Sequence, residues 1–297
     1  MTERFTGIIP PLLTPFNENE EVDEDKLRKL VNFLIDGGVH GLFPCGSIGE
    51  FSNLTTEEMR NVQKITVDEA DGRVPVLAGT GASGTKEAVR RTINAEEIGA
   101  DGVINVTPFY LESDQVGIRE HFSRVAESTS LPILLYHIPQ CTGQHLSSET
   151  ISSLYEEYEN IVGLKDSSGD LGRVGKIIRN VGNDFQFFQG RPKLLLPSLI
   201  LGAAGGVPGT ANIKPEFSVK LFEEYEKGNI DQAKCLQLNR EDILSEACSI
   251  GPFPANYKSA AKLTGFDLGP ARSPIRSMNK KETKEQKKAL KNLELLD

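Results

Sequence analysis

The chain has no tryptophan, three methionines, four histidines and four cysteines in 297 residues. Cys45, Cys141, Cys235 and Cys248 are widely spaced, with no CxxC pair, which excludes a zinc knuckle or a disulfide scaffold. His40, His121, His137 and His145 form no HExxH or related spacing, so no metal site is expected. Positive charge is also short. Lys plus Arg is 33 against 42 for Asp plus Glu, a net charge of −9, which lacks the electrostatic footprint of a nucleic-acid binder. It equally lacks the basic amphipathic signature of a membrane-surface protein. The longest apolar stretch, Leu194 to Val207, is broken by Pro197, Ser198 and several glycines and is too short to span a bilayer. The opening MTERFTGIIPPLLTPF has no basic region followed by an uninterrupted apolar one, so no signal peptide is expected. These absences read as a soluble, cytoplasmic, metal-free protein.

What is present is alternation. Eight short apolar runs read as strands: Gly7–Leu13, Gly41–Pro44, Val74–Ala78, Gly102–Val106, Pro132–Tyr136, Ile161–Lys165, Phe185–Gln189 and Gly205–Val207. They do not alternate with polar residues, as befits parallel strands buried on both faces. Helical patterns lie between them. Glu24–Ile35 places Leu27, Leu30, Val31 and Leu34 on one face, and Thr56–Ala70 opens with a hydroxyl and two acids. Lys86–Ile98, Val116–Ser128, Ser148–Tyr158, Leu171–Val181, Leu194–Leu201 and Pro215–Lys227 complete the series. The segments IDGGVHGLFPCG, EIGADGVINVTP and ILGAAGGVPGT repeat one form, a glycine that ends a helix and another that opens a strand. Eight units of roughly 27 residues fit an α/β fold of the (β/α)8 barrel type. An open doubly wound sheet is disfavoured, because the first strand is not followed by GxGxxG. Beyond Lys227 the strands stop, and Ile230–Ala247, Asn256–Thr264 and Lys280–Leu296 read as helices. The expected division is a catalytic barrel over 1–227 and a C-terminal helical appendage over 228–297.

In such a barrel the chemistry sits where strands end. Lys165 follows an apolar strand, so its ammonium is expected in the barrel mouth. Desolvation there would lower its pKa and free the amine to attack a carbonyl. The plain alternative is a lysine turned out to solvent. Tyr136 ends the neighbouring strand and could shuttle a proton, or could be a core tyrosine with a satisfied hydroxyl; Tyr110 poses the same choice. Gly46-Ser47-Ile48-Gly49 resembles an anion nest of backbone N–H groups, although Gly-Ser turns are common. Glu50 reads as structural, and Cys45 and Cys141 as buried, inert thiols. His137 is turned away from Tyr136 by strand alternation.

GSIGE, VTPFY, LLYHIPQCTG, VGLKDSSGD and GGVPGTAN, in that order, resemble the dihydrodipicolinate synthase/N-acetylneuraminate lyase family of class I aldolases. The resemblance implies a Schiff base between Lys165 and a 2-oxo acid, usually pyruvate, with Tyr136 transferring the proton and Tyr110 lent across a dimer interface. It implies a pyruvyl-carboxylate turn at Ser47 and Ile48, a site extended by Ser167 and Gly190, and Val207 packed near the pyruvyl moiety. It also implies a homotetramer built as a dimer of dimers, acting on a small molecule and needing no cofactor. Two departures bear on substrate. Cys141 stands where the synthase branch carries an arginine, and Gly190 is followed by Arg191-Pro192-Lys193 where neuraminate lyases carry acids. Ile48 also lacks the second hydroxyl of the usual turn. The remaining pattern is most similar to 2-keto-3-deoxygluconate aldolases, which cleave a 2-keto-3-deoxy sugar acid to pyruvate and a hydroxyaldehyde. The alternatives are a dihydrodipicolinate synthase, a neuraminate lyase, a keto-deoxy-glucarate dehydratase or a sugar-acid-binding regulator. Arg191 and Lys193 are expected at the outer lip of the site, or else as solvated caps on the next helix.

Overall fold

Proline lacks the N–H that a strand ladder needs, and it sets where the first two staves of this sheet stop. The computed structural model describes residues 5–182 and 184–296. Residues 1–4, part of the segment read above for a leader, and positions 183 and 297 lie outside the described residues. Seven strands form one parallel sheet: β1 (Gly7–Ile8), β2 (Leu77–Gly79), β3 (Gly102–Val106), β4 (Ile133–His137), β5 (Ile161–Asp166), β6 (Gln186–Gln189) and β7 (Gly205–Gly206). Their order is β1-β7-β6-β5-β4-β3-β2.

The gap between β1 and β2 is filled by the expected second strand, which is reduced to parallel bridges at Pro11–Phe43 and Leu42–Val76. Backbone bonds on both sides stitch it in. Phe43 donates to Pro10 (3.0 Å) and Leu12 to Phe43 (2.9 Å), while Leu42 donates to Pro75 (2.9 Å) and Leu77 to Leu42 (2.8 Å). The sheet therefore closes as an eight-stave barrel. The expected Gly7–Leu13 is cut back to two residues of regular strand because Pro10 and Pro11 follow, and Gly41–Pro44 is flanked in the same way by Pro44 and Pro75.

The helices wrap the sheet as their periodicity predicts. Glu24–Asp36 is capped by Asp23 and buries Leu27, Leu30, Val31 and Leu34. Thr56–Ala70 starts with a full capping box between Thr55 and Glu58. Outward strand residues Val103, Leu135, Leu164 and Phe187 pack under helix residues such as Ile118, Val125 and Ile151. A second cluster joins Phe43, Tyr136, Phe188 and Val207 to C-terminal residues including Leu244, Ala260 and Leu290.

The C-terminal helices depart from expectation twice: the expected Lys280–Leu296 ends at Lys291, and the first helix is broken. Ile230–Ala247 is interrupted by a wide π-type turn at Gln237–Glu241. That turn aims polar side chains at the barrel. Gln237 accepts from the Leu196 N–H (2.9 Å) and donates to the Pro192 carbonyl (3.0 Å), and buried Glu241 accepts from the Thr210 and Ser218 hydroxyls. No helix among the described residues is long and apolar enough to cross a membrane.

Candidate active site

The register of β4 against β5 pairs Tyr136 with Lys165 and His137 with Asp166. Because successive residues face opposite sides, this pairing divides two functions. Tyr136 and Lys165 point inward. His137 and Asp166 point outward, where Asp166 Oδ2 accepts from His137 Nδ1 and from Arg173 Nε, each at 2.9 Å. Burial pushes the Asp166 carboxyl up, but hydrogen bonds from His137 and Ser168 outweigh it and hold the group at about 2. A fixed anion therefore anchors the outer side of the strand that carries Lys165.

Inside, Lys165 is 3% exposed and makes no hydrogen bond or ion pair among the described residues. Its Nζ lies over the Tyr136 ring at 4.0 Å and the Phe43 ring at 4.6 Å. Burial drives its pKa down from 10.5 to about 7, so near neutrality much of the amine is unprotonated and nucleophilic. Burial pushes the Tyr136 phenol up to about 12, against a weak contact from Ser47, whose Oγ is 3.4 Å from the phenol oxygen. Tyr136 is thus a neutral donor at rest, placed between the amine and the Gly46–Gly49 turn.

That turn is left-handed at both ends, with φ of 59° at Cys45 and at Glu50. It leaves the backbone N–H groups of Ser47 and Ile48 without a protein acceptor among the described residues. Two free donors and a hydroxyl beside a buried amine suit a carboxylate. Gly79 is required opposite, since a Cβ there would meet the Cys45 carbonyl at 2.2 Å. Glu50, at the exit of the turn, is fully buried. Its Oε1 is 2.8 Å from Lys258 Nζ as an ion pair by distance, while Lys258 aims a better-aligned N–H at the Pro270 carbonyl (2.7 Å). Arg272 N–H donates to Oε2 (2.9 Å).

Above Lys165 opens a cleft of about 580 Å³. Ser47, Ile48, Tyr136, Lys165, Ser167, Gly190 and Val207 all line it, and so do Arg191 and Lys193. Tyr110 does not. It is 92% exposed, on a left-handed backbone (φ 79°) next to exposed Leu111. Gly190 is pinned by its neighbour, because a Cβ would strike Ser167 Oγ at 2.0 Å. One expectation is corrected: Cys45 is buried but Cys141 is exposed. The short helix Pro139–Thr142 lifts it onto the cleft wall, where partial desolvation still raises its pKa. The sequence reading missed Phe253, Asn256, Tyr257 and Cys248, which close the cleft from the C-terminal region, Asn256 and Tyr257 on a helix and Cys248 and Phe253 on the turn before it. They lie roughly 80 or more residues from Lys165 in ordinary amphipathic patterns, so no local signal marked them.

A family model described as the dihydrodipicolinate synthetase family matches residues 4–293. The chain belongs to this family. Its members are pyruvate-dependent class I aldolases, and the chain is accordingly a carbon–carbon lyase. A 4-hydroxy-tetrahydrodipicolinate synthase of Methanopyrus kandleri is 40% identical over 99% of this chain and 98% of its own length. An uncharacterized DapA-like lyase of Halobacterium salinarum is 40% identical over 92% of this chain and 89% of its own. Among solved structures, a family dihydrodipicolinate synthase from Aquifex aeolicus superposes with a TM-score of 0.94 at 34% identity, covering 98% of this chain and 99% of that one. A prophage protein of the family from E. coli K12, solved in complex with pyruvate, gives 0.93 at 31% identity over 98% and 99%.

Proposed function

We propose that Lys165 forms an imine with the 2-oxo group of pyruvate, and that the enzyme reversibly cleaves a 2-keto-3-deoxy sugar acid of the 2-keto-3-deoxygluconate type. The observation that carries the chemistry is the buried amine of Lys165, unpaired and depressed to about 7, against the Tyr136 ring. The amine attacks the C2 carbonyl and water leaves. The protonated imine is then the electron sink. Tyr136, left as a phenolate once its proton has gone out with the departing water, takes the proton of the C4 hydroxyl, the C3–C4 bond breaks, and its electrons pass into the imine to give an enamine and a free aldehyde. Protonation at C3 and hydrolysis release pyruvate and restore the amine. Ser47, the Ile48 N–H and Val207 hold the pyruvyl end, and Ser167 and Gly190 shape the wall beside it.

The substrate assignment rests on Cys141, an uncharged residue on the cleft wall, at the motif position where the family resemblance implies an arginine for the synthase branch. A second reading, 4-hydroxy-tetrahydrodipicolinate synthase, is favoured by the name of the Methanopyrus kandleri relative. In this proposal residues 1–227 form the catalytic barrel and 228–297 its covering helices, the enzyme acts in the cytoplasm as a dimer of dimers, and exposed Tyr110 reaches the site of a neighbouring copy.

Borohydride reduction with pyruvate should place a pyruvyl-derived mass on the peptide holding Lys165. Pyruvate release from 2-keto-3-deoxygluconate is then compared with condensation of pyruvate and aspartate semialdehyde. A kcat/KM at least about tenfold higher for cleavage of the sugar acid is expected. The reverse ratio would replace this reading by the second.

A further inference from the structure

The chain carries nine more acids than bases, yet the cleft is lined by Lys165, Arg191 and Lys193 and by no Asp or Glu. The three cations are not equivalent. Lys165 is consumed in the imine. Lys193 Nζ is paired with Glu246 at 2.8 Å. Arg191 has no acidic partner among the described residues. Its Nε donates to the Ser167 carbonyl (2.9 Å) and its own N–H donates to Gln189 Oε1 (2.8 Å). These bonds fix the root of the guanidinium and leave both terminal nitrogens without a protein acceptor among the described residues.

Its position is also specific. Gln140 Nε2 donates to the same Ser167 carbonyl at 3.2 Å, and Gln140 is the neighbour of Cys141. The guanidinium therefore hangs from the carbonyl that the loop of Cys141 also holds, two residues past Lys165. Its charge reaches across the cleft, opposing in part the burial that raises the pKa of Tyr136, Cys141 and Tyr257. A planar cation with free, parallel donors, facing a cleft without carboxylates, matches a bidentate oxyanion.

We infer that Arg191 is a specificity residue that grips an anionic group, carboxylate or phosphate monoester, at the end of the aldehyde portion remote from the reacting carbon. This rests on the imine reading of Lys165, and it narrows the proposed sugar acid to one whose aldehyde portion ends in an anion. The cation comes from the β6 end of the barrel rather than from the β4 loop, where Cys141 has no charge to offer. Lys193, neutralised by Glu246, adds only a weak field at the lip.

The test runs condensation with pyruvate on three aldehydes: glyceraldehyde, glyceraldehyde 3-phosphate and succinate semialdehyde. The wild type should prefer at least one anionic aldehyde over glyceraldehyde in kcat/KM, and the preference should shrink as salt rises. Arg191→Met should lower the anionic-to-neutral ratio by about 10- to 100-fold, chiefly through KM, and Arg191→Lys should restore part of it. A gain confined to the phosphate ester or to the carboxylate supports the inference and names the anion. It is overturned if neither anionic aldehyde outperforms glyceraldehyde, or if Arg191→Met keeps the wild-type ratio. Borohydride trapping separates the two levels. An absent pyruvyl–Lys165 adduct overturns the imine reading and this inference with it, whereas an adduct with an unmoved ratio overturns this inference alone.

Discussion

Lys165 and Lys258 are each 3% exposed, each sits over aromatic rings, and burial depresses the pKa of both, to about 7 and about 8. Lys258 Nζ lies 4.2 Å from the Phe16 ring centre, close to the 4.0 Å that separates Lys165 from Tyr136. What differs is the counter-charge. Lys258 has Glu50 at 2.8 Å and the Pro270 carbonyl at 2.7 Å, while Lys165 has neither acid nor carbonyl. A buried amine with an anion beside it is held charged and acts as a strut, tying the C-terminal helices to the Gly46–Glu50 turn. A buried amine without one faces a cleft and is left reactive. Burial alone therefore does not identify a nucleophile; the absence of a partner does.

The largest expected effect comes from removing the reactive amine. Lys165→Met should abolish pyruvate trapping and lower kcat by at least about 10⁴-fold. It should also stabilise the fold. The unfolded chain protonates Lys165 up to pH 10.5, the folded chain only below about 7, so between these values the unfolded state binds the extra proton. The penalty is full below pH 7 and fades as pH rises toward 10.5. The variant should gain about 2–4 kcal/mol at pH 7 and little at pH 10, by denaturant melts. A gain independent of pH would show that Lys165 is charged in the fold, and its contrast with Lys258 would collapse.

Tyr136→Phe comes next. Imine formation should persist, because the ring beside Lys165 is retained, while C–C cleavage should fall by about 10²–10⁴-fold. Trapped adduct without turnover is the diagnostic outcome, read by mass spectrometry and pyruvate release. A loss confined to KM would make Tyr136 a binding residue.

The smallest catalytic effect belongs to Lys258→Met, whose effect on stability should run opposite to that of Lys165→Met. It strands the Glu50 carboxylate in the core and should cost about 3–5 kcal/mol in denaturant melts. Because Glu50 ends the turn that presents the Ser47 and Ile48 N–H groups, KM for pyruvate should rise more than kcat falls. The double variant Glu50→Gln/Lys258→Met should recover most of the stability. Failure to recover it would mean that Lys258 acts through its Pro270 contact rather than through the pair.

Sequence periodicity by itself determined the alternation of strands and helices, since burial on both faces demands unbroken apolar runs and helix faces demand a spacing near 3.6. It also placed Lys165, Tyr136, Ser47, Ile48, Gly190 and Val207 at strand ends or turns, because the C-terminal ends of barrel strands are where side chains escape the core. Proline positions foretold the weakness of the stave at residues 41–44 only once the ladder was visible. What tertiary structure alone decided is which charges meet. The Glu50–Lys258 pair spans about two hundred residues of chain, and the cleft roof of Phe253, Asn256, Tyr257 and Cys248 comes from a C-terminal helix and the turn before it, with no motif of their own. So do the exposure of Cys141 and the freedom of Arg191, for a side chain's partners depend on through-space distance, which local pattern does not encode.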